Sequence, residues 1–272
     1  MPTDTRRLTG PESSQSPYNF APCSKLDMRN LEVRPDGRSF KQLRPLFLRT
    51  DVVSQARGSS YIEMNDTKAI CAVYGPREVL RREDFSLKGQ LTCDFKFATF
   101  SCKQRRQHQQ DSQEKDLSVQ VLEALEPAVC LHKYPKSQIN IFITVLQHDG
   151  CALSAAIMCA SLALASAGIE MYDLVVASSA AICGSLTLVD PTAQEEETIL
   201  KSTVKLDANA GSVTVAYLPS MSQVSALSSD GELSFEVLNK SMQECVANCQ
   251  RLYPVLEQTL VKHQQELEAS KS

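Results

Sequence analysis

The 272-residue sequence contains no tryptophan, and aromatic residues make up only 6% of it. It has no Cys-x-x-Cys pair, and its ten cysteines and four histidines show no four-ligand zinc spacing. We therefore expect no metal and no cofactor, and we interpret the cysteines as free, buried thiols of a reducing compartment. The sequence also lacks a Walker A loop, a Gly-x-Gly-x-x-Gly segment and a Gly-x-Ser-x-Gly turn, which excludes the common nucleotide-binding and nucleophile-elbow classes.

Long apolar runs are absent as well. The longest, residues 155–167, contains serines and falls short of the roughly 20 residues that a membrane span needs. The N-terminal residues contain no apolar segment of the kind found in signal peptides. The sequence therefore predicts an intracellular protein without a membrane partner.

An excess of positive charge is also missing, since the net charge is −4. This average hides two unequal parts, because residues 1–126 hold 20 basic and 17 acidic side chains whereas residues 127–272 hold 8 and 15. Residues 77–106 alone contain eight basic and four acidic side chains, a local charge that attracts RNA phosphates. The candidate RNA contacts of this segment are Lys96, Lys103, Arg105 and Arg106. A solvated hairpin end is the alternative interpretation.

The periodicity of the sequence predicts alternating strands and helices. A hairpin is indicated by alternation over residues 60–64, a turn at Asn65-Asp66, and a β-rich run that ends at Gly75-Pro76. Further strands are predicted over residues 90–100, 139–146, 174–183, 185–189, 213–218 and 233–235. Helices are predicted over residues 117–131 with a kink at Pro127, over 152–167 before Gly168, and over 237–268 with a kink at Pro254.

These elements indicate an α/β (α+β) fold class in which mixed β-sheets pack against helices. We expect a flexible N-terminal arm over residues 1–33, one domain over residues 34–269, and a short tail over residues 270–272.

Several short motifs occur in the order and spacing that is typical of the ribonuclease PH family. They are Asp36-Gly37-Arg38, Leu43-Arg44-Pro45, Gly75-Pro76-Arg77-Glu78, Ala124-Leu125-Glu126-Pro127 and Gln147-His148-Asp149-Gly150. The resemblance covers residues 34–262, and residues 73–78 and 171–176 are similar to the ring subunits of the eukaryotic RNA exosome. It implies a single ribonuclease PH-like domain with the ribosomal protein S5 domain 2-like fold.

The resemblance also implies a phosphate site at a helix N-terminus, where active family members bind the phosphate that cleaves RNA 3′ ends. The family's Gly-Gly-Thr-Arg turn matches Gly150-Cys151-Ala152-Leu153. Ala152 has no hydroxyl, Leu153 has no charge, and a second family arginine falls at Gln113. Ser154 remains beside them but brings no full charge. We therefore expect a degenerate phosphate site without phosphorolysis, and we interpret Cys151 as a small filler rather than a reactive thiol.

A carboxylate pair of the family matches better. Asp190 falls at the first position and Glu196 at the second, although the run of acids over residues 195–197 leaves the register open. Two such carboxylates could hold magnesium for hydrolysis. A solvated helix start, where acidic residues suit the dipole, is the alternative that we favour.

The resemblance implies a non-catalytic subunit that completes the hexameric ring of the RNA exosome and helps to line its channel. The expected partners are other ribonuclease PH-like ring subunits, S1/KH-type cap subunits and single-stranded RNA, in rRNA maturation and mRNA turnover. The expected location is the nucleus, including the nucleolus, and the cytoplasm. Two alternatives stay open: a metal-dependent 3′-to-5′ exoribonuclease that uses Asp190 and Glu196, and a stand-alone RNA-binding module.

Overall fold

The computed structural model describes residue 34 and residues 36–79, 86–184, 186–203 and 209–271. The predicted arm over residues 1–33 lies outside the described residues, as do Arg81 and Arg82 of the basic segment. The boundaries of the predicted domain therefore stay predictions.

Nine strands and four helices follow one another along the described chain. The strands are β1 (Leu46–Thr50), β2 (Gly58–Met64), β3 (Thr67–Glu78), β4 (Gln90–Phe97), β5 (Ser137–Gln147), β6 (Val176–Cys183), β7 (Leu186–Val189), β8 (Ala210–Leu218) and β9 (Gln223–Glu232). The helices are α1 (Ser112–Leu125), α2 (Ala152–Ser166), α3 (Ala193–Thr203) and α4 (Phe235–Lys271).

The strands form two sheets, with the orders β1-β2-β3-β5-β4 and β7-β6-β8-β9. Only β4 and β5 are parallel among the described strand pairs. Helix α2 contacts strands of both sheets. Its small residues allow this close approach, and nearly all of its side chains are buried. The mixed α/β fold class is therefore confirmed.

The predicted hairpin is confirmed, because β2 and β3 pair across Met64 and Thr67. The predicted end of the second strand at Gly75-Pro76 is wrong. Strand β3 continues through Gly75 and Pro76 to Glu78, and a register irregularity between Tyr74 and Arg77 accommodates the proline. The strand predicted over residues 90–100 is confirmed as β4, which ends at Phe97 and buries Leu91, Phe95 and Phe97.

Two other predictions are corrected. Helix α1 ends at Leu125 and continues as a 3-10 turn over Glu126–Ala128 instead of bending at Pro127, because proline has no N–H to donate to the helix. Strand β9 was missed because its serines, Asp230 and Gly231 resemble a loop, and the strand predicted over residues 233–235 is wrong because Phe235 begins α4. Helix α4 extends from Phe235 to Lys271 with Pro254 inside it, and the kink predicted there stays a prediction.

No disulfide joins the nine cysteines of the described part of the chain. None of the described helices combines the length and the apolar character that a transmembrane helix requires.

Candidate active-site cleft

A cleft of about 320 Å³ lies between α1, the N-terminus of α2 and the second sheet. It brings together residues that are far apart in the sequence, because the turn before α2 packs against the turn between β7 and α3. The predicted residues that line it are Gln113, Cys151, Ala152, Leu153 and Glu196. The cleft therefore occupies the place where the resemblance implies a phosphate site.

The charged side chains that line this cleft are acidic. Asp116, Glu196 and Asp230 line it, and no lysine or arginine of the described residues does. His148 also lines it, but burial, together with two nearby arginines, lowers the pKa of its imidazole to about 4, so the ring is neutral at pH 7. An incoming phosphate would thus meet acidic side chains in the lining of the cleft, where no described lysine or arginine compensates them.

An internal carboxylate already binds the N-terminus of α2. The backbone N–H of Cys151 donates to Glu196 Oε1 over 2.8 Å. Burial raises the pKa of Glu196 to about 7, against the opposing effect of this hydrogen bond and of Arg44. Anions favour a helix N-terminus because its N–H groups lack partners, and here Glu196 takes that place.

The two remaining polar groups of the turn are engaged or buried. The hydroxyl of Ser154 donates to the carbonyl oxygen of Cys151 over 3.0 Å, and Ser154 is not among the residues that line the cleft. The hydroxyl of Ser154 is therefore engaged within the first turn of α2, and the place of Ser154 in the degenerate phosphate site stays a prediction. Burial raises the pKa of the Cys151 thiol well above its usual range, which contradicts a reactive thiolate and agrees with the interpretation as a filler.

Asp190 does not face the cleft as a free carboxylate. Arg44 donates from Nη2 to Asp190 Oδ1 over 2.7 Å and from Nε to Oδ2 over 3.0 Å, and the Arg44 backbone N–H donates to Oδ2 over 2.9 Å. This pair is buried, and the hydrogen bonds lower the pKa of Asp190 against the opposing effect of burial. A magnesium ion at Asp190 would have to displace Arg44, so the pair does not form a metal site with Glu196.

A second buried ion pair distinguishes Glu195 from its two neighbours in the acidic run over residues 195–197. Glu195 is 0% exposed and accepts hydrogen bonds from Nε and Nη2 of Arg34 over 2.9 and 2.6 Å. Glu196 is therefore the member that faces the turn before α2. The interpretation of these acidic residues as a solvated helix start is wrong for Glu195, because its side chain is buried. Within the described ranges, no three His, Cys, Asp or Glu residues are placed to hold a metal ion.

Sequence reasoning missed Arg34 and assigned no role to Arg44. Arg44 belongs to the motif Leu43-Arg44-Pro45, which was the available signal. Nothing local in the sequence indicates that these arginines pair with acids 161 and 146 residues away.

The predicted RNA contacts lie on the loop between β4 and α1 and near the end of β4. Lys103 and Arg105 are exposed. Lys96 instead donates from Nζ to the carbonyl oxygen of His108. The guanidinium of Arg106 lies 4.2 Å from the centroid of the Phe97 ring and donates to Gln113 Oε1 over 3.0 Å. The structure therefore leaves Lys103 and Arg105 with the most accessible charges of the four.

Glu196 should make stability fall as the pH rises. Its pKa is raised from 4.5 to about 7 in the folded chain, so between these values the folded state holds a proton that the unfolded state has lost. We expect Glu196→Gln to remove this loss, which is at most about 1.4 kcal/mol per pH unit. Urea unfolding of wild type and variant at pH 5.0 to 8.0 measures the difference.

This comparison has a matched control. Glu123 is an exposed glutamate on α1, one of the elements that border the cleft. Glu123→Gln should leave the pH dependence of the free energy of unfolding unchanged. The buried His148 acts in the opposite direction at low pH, but it is common to all three proteins and cancels in the difference. A variant that keeps the wild-type profile would contradict the assignment.

Comparisons with known proteins agree with this geometry. A model of the 3′ exoribonuclease family, domain 1, matches residues 42–170. The exosome complex component MTR3 of Homo sapiens is 39% identical over 281 residues, and 96% of each chain is covered. The exosome complex component RRP41-like of Arabidopsis thaliana is 35% identical over 227 residues, with 84% of each covered.

Solved structures share the fold. Rice Rrp46 superposes with a TM-score of 0.71 at 23% identity, covering 84% of this chain and 100% of that one. A chain of the Archaeoglobus fulgidus exosome with RNA bound to the active site gives a TM-score of 0.68 at 21% identity, covering 81% and 91%.

Proposed function

Because this chain belongs to the ribonuclease PH family, whose family model is that of 3′ exoribonucleases, we propose that it is a ring subunit of the RNA exosome that does not itself cut RNA. The absence of RNA cleavage is supported by the acidic cleft, where Glu196 binds the N-terminus of α2. Phosphorolysis needs a phosphate beside the RNA end, and an acidic lining without cations opposes that binding.

Membership of the ring is supported by the relatives, which are exosome complex components that match nearly the whole chain. Its partners are then other ribonuclease PH-like ring subunits, S1/KH-type cap subunits and single-stranded RNA in the channel. The subunit supports 3′-to-5′ RNA processing and decay, including rRNA maturation and mRNA turnover, in the nucleus, the nucleolus and the cytoplasm.

An activity assay tests the absence of RNA cleavage, and a mass measurement tests membership of the ring. The full chain is incubated with end-labelled single-stranded RNA, magnesium and phosphate, and we expect no release of nucleoside diphosphates. Native mass spectrometry after mixing with the family paralogues of its source should give a six-membered ring. Phosphate-dependent release that Glu196→Gln abolishes would restore an enzymatic function, and failure to join a ring would refute the scaffold.

The metal-dependent exoribonuclease predicts release of nucleoside monophosphates that requires magnesium and no phosphate. The Arg44–Asp190 pair argues against it, since neither Asp190 oxygen is available. The stand-alone RNA-binding module instead predicts tight RNA binding by the isolated chain without ring assembly, and the native mass measurement separates it from the scaffold.

The exposed cations of the β4–α1 loop should contribute RNA affinity without sequence preference. Each phosphate contact to single-stranded RNA contributes a slope of about 0.7 in log affinity against log salt concentration. We expect Lys103→Gln with Arg105→Gln to lower the slope of the assembled ring by about 1.4 per copy of this chain. Fluorescence anisotropy with a labelled oligouridylate between 50 and 300 mM salt measures it.

Lys262→Gln provides the control, because Lys262 is an exposed lysine on α4. It should leave the slope at the wild-type value. A double variant that binds RNA with the wild-type slope would show that the loop does not contact phosphates.

A further inference from the structure

One aromatic side chain of the β4–α1 loop is left in solvent. Phe100 is 70% exposed, in a chain that has no tryptophan and only nine phenylalanines. A scattered apolar residue on a surface needs no explanation by itself. The setting of Phe100 is what distinguishes it.

The backbone around Phe100 is held on both sides. The N–H of Ala98 donates to the carbonyl oxygen of Val145 over 2.9 Å, and the N–H of His148 donates to that of Ser101 over 2.9 Å. The N–H of Arg106 donates to the carbonyl oxygen of Thr99 over 3.0 Å, so the loop folds back and residues 105–106 lie beside residues 99–100. The exposed ring is therefore presented on an anchored segment.

The charge of this segment has one sign. Residues 95–110 contain four basic side chains and no acid. Of these, Lys103 and Arg105 are exposed, and the Arg106 guanidinium stays on the Phe97 ring. Exposed cations around an aromatic face match single-stranded nucleic acid, in which phosphates alternate with bases that offer a π-face.

We propose that Phe100 is a stacking platform for one base of single-stranded RNA, with Lys103 and Arg105 binding the adjacent phosphates. The proposal rests on the proposed function in requiring that RNA reaches this loop. Stacking does not distinguish one base from another, so the site contributes affinity and position without sequence preference. A neighbouring protein is the competing occupant, but the cores of protein interfaces are depleted of charge, which disfavours a protein on a loop that also exposes two cations.

Base removal tests stacking directly. We compare an oligouridylate of 20 nucleotides with the same strand carrying abasic residues, using the ring assembled with its paralogues and a salt concentration of 50 mM. Phe100→Leu should weaken binding of the oligouridylate roughly tenfold. It should leave binding of the abasic strand within about twofold, because no base is left to stack. Phe100→Tyr keeps the aromatic face and should bind like the wild type.

Phe47→Leu serves as the matched control, since Phe47 is 55% exposed on β1 and its ring contacts Tyr61. Phe47→Leu should change neither the affinity for the oligouridylate nor the affinity for the abasic strand. Zero-length crosslinking of 4-thiouridine RNA to the full chain, followed by mass spectrometry, should place the crosslink on residues 98–108, and Phe100→Leu should abolish it.

The outcomes separate the two proposals. Equal weakening of both strands by Phe100→Leu, an unchanged affinity for both, or loss of ring assembly would each overturn stacking. In those cases the proposed RNA-channel function would still be supported if Lys103→Gln with Arg105→Gln lowers the slope of log affinity against log salt concentration. A wild-type ring that binds neither strand, or binds with a slope unaffected by that double variant, would overturn the channel function itself.

Discussion

Asp190→Asn should lower the free energy of unfolding by about 3–5 kcal/mol, the cost of removing one partner of a buried ion pair. Asp190 is 2% exposed, and its two oxygens accept from the side chain and the backbone of Arg44. The substitution removes the negative charge and one acceptor. The Arg44 charge stays buried with the remaining amide oxygen of residue 190, the Asp149 carbonyl, the Asp149 carboxylate at 3.8 Å and the Thr67 hydroxyl as partners. Urea unfolding at pH 7 measures the loss.

Asp36→Asn is the control, because Asp36 pairs with Arg38 at a more accessible position. We expect that change to cost less than about 1 kcal/mol. A loss below 1 kcal/mol for Asp190→Asn as well would mean that the remaining groups satisfy Arg44. The expected instability also affects activity tests: loss of activity in an Asp190 variant would report unfolding, so Glu196→Gln is the variant to use.

Gly150→Ala should lower the free energy of unfolding by about 3 kcal/mol, because two penalties act together. Gly150 has φ +85°, which disfavours any residue with a Cβ. An added Cβ would lie 2.4 Å from the carbonyl oxygen of Pro191 and 2.8 Å from the amide nitrogen of Ala193. Backbone cannot rotate away as a side chain can, so the two turns must separate.

Gly168→Ala isolates the conformational part of that cost. Gly168 follows α2 with φ +71°, and an added Cβ would have no atom within 4 Å. We expect a loss of about 1 kcal/mol there. Chemical unfolding of both variants gives the difference, and equal losses would show that the turn before α2 can move away from residues 191–193 at no cost. Since this contact brings Cys151 to Glu196, Gly150→Ala should also weaken the hydrogen bond between them.

The features that the sequence could predict are those that local patterns encode. Alternation and the Asn65-Asp66 turn identify the β2–β3 hairpin, and small residues up to Gly168 identify α2. Strand β9 escaped because its polar residues carry no alternating apolar face. The parallel pairing of β4 with β5 escaped for a different reason: α1 and two short turns separate the two strands in the sequence, and no local pattern specifies which neighbour a strand chooses.

For the site, the sequence by itself determined which residue types stand at the positions that the resemblance matches to the family's phosphate site. Ala152, Leu153 and Gln113 cannot supply the hydroxyl and the cations that the family resemblance implies, whatever the fold does. It could not determine what the surviving carboxylates do, because Asp190 and Glu196 are identical in type to a magnesium-binding pair. Only the tertiary structure decided that Arg44 binds Asp190 and that Glu196 binds the N-terminus of α2. The state of a carboxylate depends on the charges and the solvent around it, and the charges around Asp190 belong to Arg44 and Arg38, which are 146 and 152 positions away.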